Sequence, residues 1–447
     1  MNKDKTSKNS NKDIYTNALK VMPGGVSRNT VLRKPYPHYA AMAKGCYVND
    51  IDGIERIDFA NNMASLIHGH GHPAIIEAVT EQLQKGTAYT LATEAEVRFA
   101  EHIISRAEGF EKIRFVNSGT EAVMAMIKAS RAFTGKPMIA KAEGAYHGTY
   151  DFSEVSQAAS PDNWGDLDNP NSVPLTHGTP QMVADNVLIY PFNDVERTLK
   201  ILDQHVDKIA AVLIDPVPHR VGLIKANNEF INAIHDWTRK HGALMIFDEV
   251  ITFRVNYGGT QEEFSVKPDL TSMGKMIGGG FPVGAFAGRS DVMSVLDPTQ
   301  PGKLKFPHSG TFSANPITMT AGRVAMELYD ENAVRSLNKL TQTAMKQILE
   351  AIKIADVPVS ITGTGSMLRI HLKSKAPQNY REAWHNPKEA ALLVKLLDYL
   401  FFEEKIMMVN TGSCMLSTAL SQKEIDQLSD GMLNAFKHIR SELLKLN

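Results

Sequence analysis

Apolar and polar positions along the chain switch between a helical and a strand period, and the switches mark out the elements. Residues 14–22 carry the spacing of a short helix that stops at Pro23-Gly24-Gly25. Residues 45–59 alternate as two strands around an Asp52-Gly53 turn, and turn chemistry accounts for Asp50 and Asp52 without a metal. Pro73 opens a helix over 74–85, and an amphipathic helix follows over 94–107. Short apolar runs at 112–116, 137–140, 184–190, 209–214 and 243–247 then alternate with helical spacing. Such runs are buried on both faces, so the pattern predicts the α/β class, a parallel sheet covered by helices. A loop over 153–180, rich in Pro, Asn, Asp and Gly, interrupts them, and long loops in compact domains tend to serve function. Beyond about 329 the texture shifts to two strands over 357–372, around Gly363-Thr-Gly365, and helices over 388–404 and 422–444. The expected organisation is a disordered tail (1–13), an N-terminal segment (14–70), a large domain (71–329) and a small α+β domain (330–447) packed with the N-terminal segment.

Composition narrows the class. A 447-residue chain is too long for one small core, and its 43% hydrophobic and 22% charged residues are ordinary for a globular enzyme. A formal charge of −1 supplies no field for nucleic acid or an anionic membrane, so neither is an expected partner. Cys46 and Cys414 form no CxxC pattern, which fits a reducing compartment. There is no apolar run long enough for a span, and residues 1–13 lack the apolar core of a signal peptide. The expected location is the cytoplasm. His68-Gly-His-Gly-His72 lacks carboxylates or cysteines at ligand spacing and runs into Pro73, so it reads as a turn and helix start, with no metal.

Three separated stretches carry candidate chemistry. The strand over 112–116 is followed at once by Asn117-Ser-Gly-Thr-Glu121 and a helix, a layout that aims helix N–H groups at an anion. Ser118 and Glu121 equally form a capping box, and an ordinary N-cap remains open. The strand over 243–247 runs into Asp248 and Glu249, where strand ends line a ligand crevice. A buried acid there wants a cationic partner. Lys275 lies between Gly274 and Gly278-Gly-Gly280, a setting that desolvates an amine and frees it as a nucleophile. Phosphate cradle (Ser118, Gly119, Thr120), acid (Asp248) and lysine are together what pyridoxal phosphate requires. Tyr146, in Gly144-Ala-Tyr-His-Gly148, offers a ring to stack on the pyridine, or else a core tyrosine.

Phe115-Val-Asn-Ser-Gly-Thr-Glu-Ala122, Tyr146-His-Gly148, Phe247-Asp-Glu-Val250, Pro268-Asp-Leu-Thr-Ser-Met-Gly-Lys275 with Ile277-Gly-Gly-Gly280, and Gly310-Thr-Phe-Ser-Ala-Asn-Pro316 resemble the class III aminotransferases. The resemblance runs in order over nearly the whole chain. It implies fold type I: a large domain with a mostly parallel seven-stranded sheet, and a smaller α+β domain from the N- and C-terminal segments. It implies pyridoxal 5'-phosphate as cofactor and Lys275 as the Schiff-base lysine, the base and acid of proton transfer. Asp248 would pair with the pyridinium, Val250 lie behind the ring, and Tyr146 stack on it, with His147 beside them. Ser118, Gly119 and Thr120 would take the phosphate, and Thr311 would reach the phosphate of the neighbouring subunit, which implies a homodimer with shared active sites.

Two branches of that family are similar to this chain. Pro23-Gly-Gly-Val-Ser-Arg28 resembles both the glutamate-1-semialdehyde aminomutases and the β-amino acid aminotransferases. The mutases typically continue with Asn-Ser-Pro-Val-Arg and carry a C-terminal Phe-Glu-Ala-Gly, where this chain has Val26-Ser-Arg-Asn-Thr-Val31 and Asn410-Thr-Gly-Ser-Cys414. Asp248-Glu-Val-Ile-Thr-Phe-Arg254, Val292-Met-Ser-Val-Leu-Asp-Pro298 and His308-Ser-Gly-Thr-Phe312 resemble the β-amino acid branch. There Arg28 would bind a substrate carboxylate, for which a planar guanidinium is suited, and Arg254 joins it as a candidate substrate residue. The expected function is a ping-pong aminotransferase acting on an amino acid, a β-amino acid by preference, and a 2-oxo acid. The alternatives are an aminomutase with the same cofactor and, more remotely, a non-catalytic binder of a phosphate ligand.

Overall fold

The computed structural model describes residues 10–446. Its central sheet has seven strands in the order Lys112–Val116, Gly284–Gly288, Leu270–Gly274, Leu244–Asp248, Ile209–Ile214, Met138–Ala142 and Val187–Tyr190. From Leu270–Gly274 onward the neighbours run parallel, while Gly284–Gly288 is antiparallel to both of its neighbours. The chain is thus an α/β protein with a mostly parallel sheet, as its apolar runs predict.

Two strands, Leu270–Gly274 and Gly284–Gly288, fall in the glycine-rich stretch around Lys275, where apolar runs give no sign of them. Crowding explains the glycines of the second. A Cβ at Gly284 would lie 2.0 Å from the Ser118 carbonyl oxygen, and one at Gly288 would lie 2.1 Å from that of Asp269. Backbone this close leaves room only for glycine, so the β-branched signature is missing.

The helix Gly119–Thr134 lies against these strands and buries Ala122, Val123, Ala125, Met126 and Ile127. Its amphipathic spacing places that face on the sheet. Asn228–His241 buries Phe230, Ile231, Ile234 and Trp237, and Gly242 in the left-handed conformation ends it.

The N-terminal tail is shorter than expected. Ser10 and Asp13 form a capping box that starts a helix at Asn11–Ala18, before the predicted 14–22. Asn11 is fully buried because its side chain donates to Asp52 and accepts from the Tyr39 N–H. Residues 1–9 of the expected tail lie outside the described residues. Ala40–Lys44, Tyr47–Asp50 and Glu55–Asp58 form a meander that Ile406–Met407 extends in parallel, so both ends of the chain share one sheet. A second sheet joins Ser360–Thr364, Met367–His371 and Ser413–Met415. The helices Glu331–Ala355 and Gln422–Leu443 pack together beside it.

The 153–180 loop is packed rather than loose. Its hairpin Gly165–Asp166/Asn169–Pro170 follows Trp164, whose ring lies 6.4 Å from Tyr380 and 5.9 Å from Trp384.

Candidate active site

A cavity of about 400 Å³ opens at the carboxyl ends of the parallel strands, where such sheets place ligands. Ser118, Gly119 and Thr120 line it at the N-terminus of Gly119–Thr134. Ser118 Oγ accepts the Glu121 N–H at 3.1 Å, and Glu121 reaches back to the Asn117 N–H at 2.7 Å. The helix start is therefore an N-cap, with Glu121 bound one residue before Ser118 rather than closing the expected capping box, and it does not compete with anion binding. It fixes the turn and leaves the N–H groups of Gly119 and Thr120 without an intrahelical acceptor. A Cβ at Gly119 would lie 2.7 Å from the Val250 side chain, so the closeness of these elements excludes any other residue there.

Asp248 closes its strand and lines the same cavity. One oxygen lies 2.8 Å from His147 Nδ1; the other accepts from Ser272 Oγ at 3.0 Å and the Val250 N–H at 3.1 Å. A carboxylate only accepts, so the bridging proton sits on Nδ1. Burial raises the Asp248 carboxyl, but His147, the Val250 N–H and Lys275 outweigh it and hold it below the ordinary carboxylate range. Burial keeps His147 neutral, and its Nε2 is enclosed without a partner.

Lys275 ends Leu270–Gly274 with a left-handed φ of 49°, a strained conformation for a side-chain-bearing residue. The twist turns the side chain into the cavity. Burial lowers its pKa, and the charges of Asp248 and Asp215 partly restore it.

Lys141 holds the turn that follows its own strand. It is fully buried, and Nζ donates to the carbonyls of Ala145 at 3.0 Å and Val155 at 2.7 Å. A neutral amine has two N–H groups and both are used, whereas a third would be stranded. Burial, with the charge of Arg220 adding to it, pulls Lys141 down to about 7. The turn it pins presents Tyr146 and His147.

The opposite wall is a left-handed turn. Asn61, Asn62, Met63 and Ala64 all have positive φ, between 46° and 74°. Each such residue costs about 1–2 kcal/mol, so the turn survives only because its surroundings hold it. Asp58 Oδ1 accepts the N–H groups of Ala60 and Asn61, and Asn61 donates to the Met415 carbonyl. Arg254 is part of this brace. It is fully buried, donates to Ser366 Oγ at 2.7 Å and to the carbonyls of Ala64 and Leu416, and is absent from the cavity wall. The structure thus places Arg254 behind the cavity wall, with Nε, Nη1 and Nη2 each donating to a protein acceptor. Asn62 does line the cavity and receives Arg28 Nη1 at 2.7 Å, which sets Arg28, exposed, at the rim.

Val250 and Tyr146 line the cavity, the tyrosine 39% exposed. Thr311 is exposed and does not line this cavity. Asp215 lines the cavity without having been singled out in the sequence, although it closes the apolar strand Ile209–Ile214 by the same strand-end rule as Asp248. Burial and the neighbouring Asp248 charge raise its pKa well above the ordinary value. His68 and His70 are engaged with Ala325, Thr418 and Asp58.

The residues present fit pyridoxal phosphate on their own chemistry: free helix N–H groups for a dianion, a charged acid for a ring nitrogen, and a desolvated amine for an aldehyde. Fold and site thus define a pyridoxal phosphate enzyme. Residues 29–398 match the profile of the "Aminotransferase class-III" family, and the chain belongs to it. Among relatives of known structure, an omega-transaminase from Sphaerobacter thermophilus is 43% identical, with a TM-score of 0.93 over 97% of this chain and 98% of that one. A β-phenylalanine aminotransferase from Variovorax paradoxus is 29% identical, with a TM-score of 0.85 over 96% of this chain and 94% of that one. A glutamate-1-semialdehyde 2,1-aminomutase of Methanothermobacter thermautotrophicus is 37% identical over 83% of this chain and 86% of its own length.

Proposed function

We propose that the protein transfers an amino group from a β-amino acid to a 2-oxo acid, in two half-reactions at one site. The observation that carries the reading is the rim: Arg28, oriented by Asn62, offers an exposed guanidinium for a carboxylate beside the cavity that holds Lys275. The 43% identity to an omega-transaminase over nearly the full length, and the fold shared with a β-phenylalanine aminotransferase, support it.

When bound, pyridoxal phosphate supplies an aldehyde that captures amines and a ring that withdraws electrons from them. Ser118, Gly119 and Thr120 would hold its phosphate, with Val250 and Tyr146 on the two ring faces. Asp248, kept anionic by His147, would keep the ring nitrogen protonated. Lys275 Nζ is the base that takes a proton from the amino-bearing carbon, and its lowered pKa frees the lone pair for it. Phe281 and Pro282 add apolar wall to the cavity that holds that amine. Thr311 would serve a partner subunit's phosphate in a homodimer. Its exposure fits this, as does that of Phe312 beside it, 59% accessible.

The test is spectral. Holoenzyme is mixed with α- and β-amino acids without any oxo acid, and the cofactor's visible absorption is followed. Stoichiometric bleaching by 3-aminobutyrate or β-phenylalanine is the expected result. An aminomutase is the second reading, favoured by 37% identity to such enzymes; bleaching by glutamate 1-semialdehyde or a diamino acid alone would establish it instead.

A further inference from the structure

One corner of the molecule holds two arginines, Arg220 and Arg369, that no carboxylate among the described residues pairs with directly. The segment from Asp215, which lines the cavity, leads to His219 and Arg220. Arg220 is exposed, and its guanidinium carbon lies 5.2 Å from the ring centroid of Tyr146, itself on the cavity wall. Among the described residues its one hydrogen bond is to the Gln157 carbonyl, at 3.2 Å. On the other side of His219, Arg369 is 4% exposed and donates to the His219 carbonyl at 2.7 Å, while its Nε is enclosed without an acceptor. Neither arginine forms an ion pair among the described residues. Glu143, whose charge reaches Lys141 alongside that of Arg220, is bound by Arg381 at 2.9 and 3.0 Å.

The groups around this corner record the same field. His219 lends Nε2 to Thr411 Oγ1 at 2.9 Å and is driven down to about 3 by burial, with Arg369, Lys275 and Arg220 all acting in that direction and no acid opposing them. His371 and His385 are depressed as well, by burial first and then by Arg369, with Glu389 opposing the shift only at His385. Three neutral histidines surround a buried guanidinium that has only carbonyl company. A buried cation without a counterion is costly, and a chain that keeps one near a ligand cavity leaves a place for an anion from outside.

We propose that Arg220 and Arg369, flanking His219, form an anion subsite for the carboxylate remote from the carbonyl of a dicarboxylic 2-oxo acid, the amino acceptor. The subsite is separate from Arg28, which meets Asn62 on the opposite wall. The assignment rests on the aminotransferase reading for its substrate, though not for its anion. Arg220 provides the accessible fork at the mouth, and Arg369 supplies field from behind.

The experiment compares the parent holoenzyme with Arg220→Gln and Arg369→Gln by two measurements. Calorimetric titration with glutarate and with butyrate reads binding of an unreactive dicarboxylate against its monocarboxylate analogue. Steady-state kinetics with 2-oxoglutarate and with pyruvate read the ratio of kcat/KM values. The expected result is tighter binding of glutarate than butyrate by the parent, a preference that Arg220→Gln reduces tenfold or more. The 2-oxoglutarate to pyruvate ratio should fall by a similar factor. Equal losses for both acceptors would overturn the proposal and leave Arg220 as a prop for Tyr146; an unchanged ratio would overturn it too. Arg369→Gln is judged only if its melting temperature stays near the parent's, and Arg220→Gln alone decides otherwise. Failure of every amino acid to bleach the cofactor would remove the aminotransferase reading, while the glutarate titration would still decide the anion subsite.

Discussion

Lys275 and Lys141 show one chemistry put to two uses. Both are lysines desolvated beside the same cavity, but only Lys275 reaches into it. Lys275→Ala should lower transamination turnover about 10³-fold or more, read without added amine; appreciable activity would remove it from the mechanism. Lys141 should announce itself in stability. Its folded pKa of about 7 lies below its unfolded value, so between the two the unfolded chain binds the extra proton and the penalty shrinks as pH rises. Against Lys141→Met, the parent should gain on the order of 3 kcal/mol between about pH 7 and pH 9 in denaturant midpoints. A pH-independent difference would mean that Lys141 stays charged. Asp248→Asn keeps the shape but not the charge, and about a hundredfold loss in kcat is expected, with weaker cofactor retention. Lys275 and Asp248 were legible because glycine runs and a strand end expose their chemistry in one dimension. Lys141 and Asp215 were not, since a lysine or acid beside an apolar strand declares its burial only once the sheet is assembled.

At the scale of elements, the left-handed turn Asn61–Ala64 and its brace account for Arg254. Replacing Arg254 with Met should cost about 2–4 kcal/mol, because the carbonyls of Ala64 and Leu416 and the Ser366 hydroxyl lose their donor. KM for the amino donor should rise more than kcat falls, since Asn62 and Arg28 shift while Lys275 does not. A lower kcat at constant KM would place Arg254 in the chemistry after all. No sequence pattern announced this turn, as four successive non-glycine residues with positive φ run against local preference. A related limit hid the strand after Lys275, where Gly284 and Gly288 answer to close backbone contact rather than to β propensity. The outer strands, free of that crowding, were readable from their apolar runs.

At the scale of the whole molecule, large apolar side chains stand in solvent, and a homodimer would cover them. Leu91 is 81% and Phe312 is 59% accessible, the latter next to Thr311. Sedimentation should find a dimer, and Phe312→Glu should shift it toward monomer with weakened cofactor retention. A variant that stays monomeric and holds its cofactor normally would separate Thr311 from the partner's site.

The brace of the Asn61–Ala64 turn also sets an order of assembly. Its anchors, Ser366 and the carbonyls of Met415 and Leu416, come late in the chain, long after the phosphate cradle, Asp248 and Lys275 have emerged. A nascent chain therefore has Ser118, Asp248 and Lys275 in hand before the anchors that hold the Asn61–Ala64 wall have been made. The residues that would take the cofactor and the anchors of the opposite wall are thus set apart in the order of the chain.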